Sequence, residues 1–341
     1  LTLLMIVGIL LVLGIVMVYS SSFSWAYRIT GKSEYYLVRQ LMWTGIGLAV
    51  LLVCMRIPYL FWRRFAVPVL LITMGALVLP LLLSLRPFGA SQYLFGTGGS
   101  GSVQPSEAAK LALVIYNAAW LSSKRDHLRE VRSGLIPYAI ILAMVDGLII
   151  MEPDFGTATL IVLIAVGMFF IAGADVRQLL VGSAVCGSTL SLLIWQSDHA
   201  RQRVTGFLST LKDPLGGGDY HVQQAVRALA SGGFLGQGIG QSQMKQPGGV
   251  PLPWSDTIFA ILGNELGLIG TLLVVALYVL LAYRGLVIGL RVQEVRRDHF
   301  GALLAAGITL WISLQAMVNI AVVTATAPLT GLTLPFISFG G

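Results

Sequence analysis

Asp256 stands at the end of a polar, glycine-dense stretch and just before a long apolar run, with Trp254 two residues ahead of it. Arg201, Arg203 and Lys245 lie in the same stretch. Ser255 and Asp256 are both good helix caps, and capping alone would account for an acid here. A carboxylate among several cations also suits chemistry on a lipid pyrophosphate. The cations would hold a pyrophosphate leaving group, and the carboxylate would take a proton from an attacking sugar hydroxyl. Asp256 is therefore the first candidate for a catalytic group, and Arg201, Arg203 and Lys245 are candidates for substrate binding.

Two other clusters carry ionisable groups. In Gln104-Pro105-Ser106-Glu107-Ala108-Ala109-Lys110, Pro105 suits a first helical turn and Glu107 the positive helix start. Glu107 and Lys110 share a helix face, so a local ion pair is one reading. The other points Lys110 inward, toward a carboxylate from another helix. In Glu152-Pro153-Asp154-Phe155-Gly156-Thr157-Ala158, Pro153 breaks a helix and Asp154 can cap the next. Asp154 is also the acid expected to pair with Lys110 and support a cavity. Tyr220 to Leu229 has the spacing of an amphipathic interfacial helix. Ser231 to Gly240 is rich enough in glycine for an anion cradle or for ordinary turns.

The elements that must position these groups are membrane helices. The 341 residues are 56% hydrophobic and 11% charged, with mean hydropathy +0.83; a soluble chain carries roughly 25% charged residues. Spans of about 20 apolar residues are expected at 1–20, 37–55, 65–85, 105–122, 134–151, 155–173, 177–195, 257–283 and 300–323, and a further one begins near Leu329. The chain opens inside an apolar run and stops at Phe339-Gly340-Gly341, so both ends are expected to be trimmed. Basic residues follow alternate spans: Arg56, Arg63 and Arg64; Lys124, Arg125, Arg129 and Arg132; Arg177; then Arg284, Arg291, Arg296 and Arg297. By the positive-inside rule the N-terminus is cytoplasmic and the stretch 196–256 is a large extracytoplasmic loop. The net charge of +7 is explained by such loops, and no nucleic-acid partner is expected. Cys54 and Cys186 lie in apolar runs and are read as small hydrophobes packed between helices. The four histidines have no metal-ligand spacing, and no cleavable leader is evident. One membrane domain, 1–341, is expected.

Several segments together resemble the SEDS family (shape, elongation, division and sporulation), the FtsW/RodA/SpoVE group. They are QPSEAAKLAL at 104–113, EPDFGTA at 152–158, YHVQQAVRALASGGFLGQGIG at 220–240, SDTIFAILGNELGLIG at 255–270 and NIAVVTATAPLTGLTLPFISFGG at 319–341. The resemblance implies an all-α bundle of ten membrane helices, with about nine complete here, in the bacterial cell membrane. It implies peptidoglycan glycan-strand polymerisation from lipid II, with inversion and release of undecaprenyl pyrophosphate, alongside a class B penicillin-binding transpeptidase. The acid the family is proposed to use falls on Asp256. Lys110 and Asp154 fall on the lysine and acid of its two other motifs; Lys110 is counted with the substrate-binding cations, and Asp154 and Glu107 as structural support. This chain has Leu252 and Trp254 where the family commonly has Glu and His, Asn264-Glu265-Leu266-Gly267 for Glu-Glu-Leu-Gly, and Tyr93 for a tryptophan. The Glu-Pro-Asp start and Ile171-Ala172-Gly173-Ala174 are closest to FtsW. A lipid II flippase is the alternative, and a non-catalytic scaffold for division partners a third reading. A divalent cation on the pyrophosphate is compatible with the sequence; no other cofactor is implied.

Overall fold

The computed structural model describes residues 2–83, 104–213, 217–246 and 248–339. Tyr93, Pro214, Gly216, Gly340 and Gly341 lie outside the described residues. Among the described residues there are eleven α-helices and no strand. They are α1 (Thr2–Thr30), α2 (Tyr35–Arg56), α3 (Leu60–Leu83), α4 (Pro105–Ser123), α5 (Ile136–Met151), α6 (Phe155–Ile171), α7 (Val176–Gln196), α8 (Asp198–Lys212), α9 (Tyr220–Gly232), α10 (Ile258–Arg296) and α11 (His299–Val323).

Each of the nine apolar runs forms a helix. Among the described residues, six segments are long and apolar enough to cross a membrane: α1, α2, α3, Val131–Met151 (which contains α5), α10 and α11. Helix α6 is apolar but shorter. No residue of α2 is buried, and Val53 and Met55 stand in the open, as a helix solvated by lipid requires. Three expectations change. The stretch 196–256 holds two helices, α8 and α9, and is not simply a loop. The segment expected to open a tenth span near Leu329 is not helical: Thr324 to Phe339 is turns, bends and irregular backbone. Pro328, Pro335 and Gly331 (φ 74) explain the missing helix there. Both cysteines are free, but Cys54 is exposed on α2 and only Cys186 is half-buried.

The chain divides into two compact units. The first comprises Leu1–Val53, Ser197–Leu281 and Gln315–Gly341. Its α1 buries Leu10, Met17 and Val18, and Gly14 lets the Phe336–Ile337 backbone lie against the helix where a side chain would collide. Helix α9 begins on Asp219, whose carboxylate accepts from the His221 amide at 2.8 Å, and it buries Val222, Ala225 and Ala228 on one face. That face and spacing are those expected from the sequence.

The second unit comprises Cys54–Gln196 and Ala282–Leu314. Helix α3 packs on α4 and α5, and α6 packs on α4, α5 and α7. Small residues allow the close crossings: Gly307 meets Met168 and Val114, and Gly285 meets Thr309. Pro68 and Pro80 sit inside α3, which packed neighbours in an apolar medium tolerate. Asp298 precedes α11, taking a 2.7 Å bond from the Tyr59 hydroxyl and bonds from the Phe300 and Gly301 amides. Desolvation pulls its pKa up, but these donors outweigh it and hold the carboxyl below its usual range.

Candidate active site

Asp256 occupies a turn that enters α10, and the polar groups around it come from far along the chain. Asn319 of α11 donates to the Asp256 carbonyl at 2.7 Å and to the Leu332 carbonyl at 2.7 Å. The Ser338 hydroxyl donates to the Ser255 carbonyl at 2.8 Å, and the Phe339 amide to the Trp254 carbonyl at 2.9 Å. Gln315 donates to the Thr333 carbonyl at 3.0 Å, and the Tyr278 hydroxyl to the Pro335 carbonyl. The final segment is thus a clamp on the Asp256 turn. Trp254, expected simply as a neighbour, is buried against Trp25 and Tyr36, and Tyr36 in turn meets Phe339.

The clamp fixes the backbone and leaves the carboxylate open. Oδ1 of Asp256 is buried and has no hydrogen-bond partner. Desolvation is the dominant influence and raises its pKa above the ordinary carboxylate value; its own amide, His221, the Thr257 amide and Arg203 oppose this more weakly. A carboxylate so placed holds a proton more tightly than one in water, the property asked of a general base. Nδ1 of His221, on α9, is likewise buried without a partner. His221 was part of the amphipathic helix in the sequence and was not singled out; its proximity to Asp256 depends on how α9 packs.

The three loop cations have different fates. Arg203 is half-buried on α8, donates to the Leu329 carbonyl at 3.5 Å and acts electrostatically on Asp256. Arg201, two residues earlier on the same helix, lies on an exposed side. Lys245 is only 2% exposed, and its ammonium sits 3.1 Å from Oε1 of Glu265 and 2.5 Å from the Gly240 carbonyl. Phe23 lies beneath the ammonium at 4.7 Å, and Trp25 donates to the Lys245 carbonyl at 3.0 Å. Ser20 Oγ is 2.7 and 2.6 Å from the two oxygens of Glu265. Lys245 therefore neutralises a buried acid of its own unit, a partner that its sequence neighbours did not reveal.

The glycine-rich stretch has a related explanation. Helix α10 is broken at Gly267 (φ 69, ψ −165), and the loop after α9 repairs the break. The amides of Gln237 and Gly238 donate to the carbonyls of Asn264 and Glu265 at 2.9 and 3.0 Å. The amides of Leu268 and Ile269 donate back to the Gly233 and Phe234 carbonyls at 2.9 and 3.3 Å. A side chain at Gly236 would strike Glu265 backbone, and one at Gly267 would strike Phe234 and Gly236 backbone. Backbone contact of this closeness needs glycine at those positions. The amides of Gln237 and Gly238 are spent on carbonyls, so this part of the stretch is a backbone splice.

The two other motifs lie in the second unit. Lys110, 1% exposed, pairs with Glu107 at 2.8 Å, and its ammonium lies 5.6 Å from the centre of the Trp311 ring. Asp154 caps α6 through the Thr157 amide at 3.0 Å and accepts from Gln104 at 3.2 Å. Because Gln104 immediately precedes α4, Asp154 ties the starts of α4 and α6 together. Glu152, 1% exposed, is pushed up to about 7 by burial and then by Asp154. Among the described residues no three His, Cys, Asp or Glu side chains gather to hold a metal ion.

The family described as "Cell cycle protein", FtsW/RodA/SpoVE, matches residues 1–341. The chain is 36% identical over 343 residues to the probable peptidoglycan glycosyltransferase FtsW of Trichlorobacter lovleyi, covering 100% of this chain and 88% of that protein. It is 36% identical over 341 residues to stage V sporulation protein E of Bacillus subtilis, covering 100% and 92%. It is structurally similar to a chain of a peptidoglycan synthase complex that coordinates polymerization and crosslinking, with TM-score 0.77, 25% identity and coverage of 99% and 91%. The fold is also that of the rod shape determining protein RodA of Thermus thermophilus, with TM-score 0.68, 24% identity and coverage of 99% and 89%. With its apolar helices and a match along its whole length, the chain is a multi-pass membrane protein of the FtsW/RodA/SpoVE family.

Proposed function

We propose that this protein is a peptidoglycan glycosyltransferase that polymerises glycan strands from lipid II, with Asp256 as the general base. The observation that carries this is a desolvated carboxylate whose Oδ1 has no partner, held by a clamped backbone within electrostatic reach of Arg203 and His221. The family membership and the names of its relatives support the same reading. The N-acetylglucosamine 4-hydroxyl of the acceptor attacks the anomeric carbon of the donor's N-acetylmuramic acid. Its proton passes to Asp256, the bond to the lipid pyrophosphate breaks, and the anomeric centre inverts. Arg203, with Arg201, stabilises the departing pyrophosphate; a divalent cation would supplement them. Lys245 acts indirectly, by neutralising Glu265 near the break in α10. Asp154 ties the starts of α4 and α6 together, and Lys110 with Glu107 braces the first turns of α4. The basic loops support a cytoplasmic N-terminus with Asp256 outside, in one membrane domain of the ten-helix type with about nine complete spans here, working with a class B penicillin-binding transpeptidase.

Purified protein given lipid II, with and without the transpeptidase, tests this. Long glycan strands that vanish in Asp256→Ala are the expected result. Absence of strands even with the partner present, together with passage of lipid II across a liposome bilayer, would replace the polymerase by a flippase.

A further inference from the structure

The end of α10 remote from Asp256 carries a second site. A cavity of about 400 Å3 lies among α4, α6, α10 and α11, with apolar walls that include Leu121, Ile171, Leu290 and Leu303. Ile171, Leu286 and Leu290 are 38%, 36% and 57% exposed, so the apolar walls continue from the cavity onto the outer surface of these helices, the kind of surface that lipid covers in a membrane protein. Its mouth is polar: Ser122, Arg125, Gln293 and His299 border it, and an adjoining hollow adds Glu294 and Arg297.

The mouth has an excess of positive charge. Nη1 of Arg125 lies 2.6 Å from Nε2 of His299. A guanidinium only donates, so that imidazole nitrogen is the acceptor in this contact. Two guanidiniums then face one carboxylate, Glu294. The first amides of α11 are already capped by Asp298, so Arg125 and Arg297 are the cationic donors at the mouth for an incoming anion, with the Gln293 amide beside them. A basic rim above an apolar, laterally open slot is complementary to a molecule with a phosphate at one end and a hydrocarbon chain at the other.

We propose that this cavity binds an anionic phospholipid, its phosphate between Arg125 and Arg297 and an acyl chain along Leu121, Ile171 and Leu303. The lipid seals the ends of four helices that the polymerase chemistry does not use. The site is independent of the Asp256 assignment.

The test uses delipidated, purified protein in neutral detergent, with retained lipid measured by native mass spectrometry. Long-chain phosphatidylglycerol is expected to be retained at least about tenfold more than phosphatidylethanolamine of the same chains, and Arg125→Gln/Arg297→Gln removes that preference. Arg284→Gln/Arg291→Gln, which takes the same charge from positions on α10 outside the cavity, keeps it. Equal retention of the two lipids overturns the proposal, as does equal loss of preference in both double variants, which would mean diffuse surface charge. Displacement of phosphatidylglycerol by inorganic phosphate alone would also overturn it, because the site would then recognise a free anion. Should Arg125→Gln/Arg297→Gln unfold early without lipid, wild-type protein decides. Short-chain phosphatidylglycerol must bind at least about tenfold more weakly than long-chain, and equal binding contradicts a tail slot.

Discussion

Asp256 and Glu265 lie in the same unit, one in the turn before α10 and one about two turns into it, and their surroundings are opposite. Glu265 is saturated: Lys245 and Ser20 hold its oxygens, and the loop after α9 holds its carbonyl. Asp256 has its carbonyl anchored by Asn319 while a side-chain oxygen stays buried and unbonded. A buried charge is tolerated when paired and costly when not. The saturated acid is therefore a structural tie beside the break in α10, whereas the unsaturated one retains free capacity for a proton. Their difference separates structure from chemistry and can be attacked from either side.

The largest effect on stability is expected at the saturated pair. Lys245→Met leaves Glu265 buried without a counter-charge and should cost about 3–5 kcal/mol. Lys245→Met/Glu265→Gln should recover much of that, as read by chemical unfolding in detergent. A double variant as unstable as the single would show that the pair is not the unit that matters. A smaller effect is expected at the clamp. Asn319→Ala strips donors from the Asp256 and Leu332 carbonyls, costing about 1–3 kcal/mol. It should slow polymerisation more than its stability loss explains, because the Asp256 turn loses its register. Activity unchanged in Asn319→Ala would show that the clamp is scaffolding only.

The smallest is a pH effect in the second unit. Glu152 is raised from 4.5 to about 7 in the folded protein. The fold then binds its proton more tightly than the unfolded chain does, so stability is fully present below 4.5 and falls as pH rises toward 7. Thermal unfolding across that window should show a loss of at least about 1 kcal/mol in wild type. Glu152→Gln should flatten the loss; an equal slope in the variant would assign it to another group.

The helices were legible because length and apolarity are local properties, and α9 was legible because its apolar positions recur with helical spacing. Asp256 was legible as an acid beside cations at the mouth of a membrane helix. The rest was hidden for one physical reason: the partners are distant in sequence. Nothing near Lys245 points to Glu265 or to Ser20 on α1. The glycines from Gly232 to Gly240 fit a cradle as well as a splice until Gly267 breaks α10 beside them. The stretch from Leu329 is apolar enough to suggest the start of a span, yet Gly331 and Pro335 turn it into the clamp. Helix α8 is hidden in the sequence because it is polar and is followed closely by Pro214 and Gly216 to Gly218, although Ser197 caps it through the Ala200 amide at 3.4 Å.

The most direct test of the central claim is the initial rate of lipid II polymerisation by wild type and Asp256→Asn, measured across pH on samples that unfold at the same temperature. The account predicts a wild-type rate that rises with pH as a carboxyl above its ordinary range loses its proton. It predicts a loss of about 10²-fold or more in Asp256→Asn. An Asn variant that keeps most of the wild-type rate, with the same pH dependence, would contradict it.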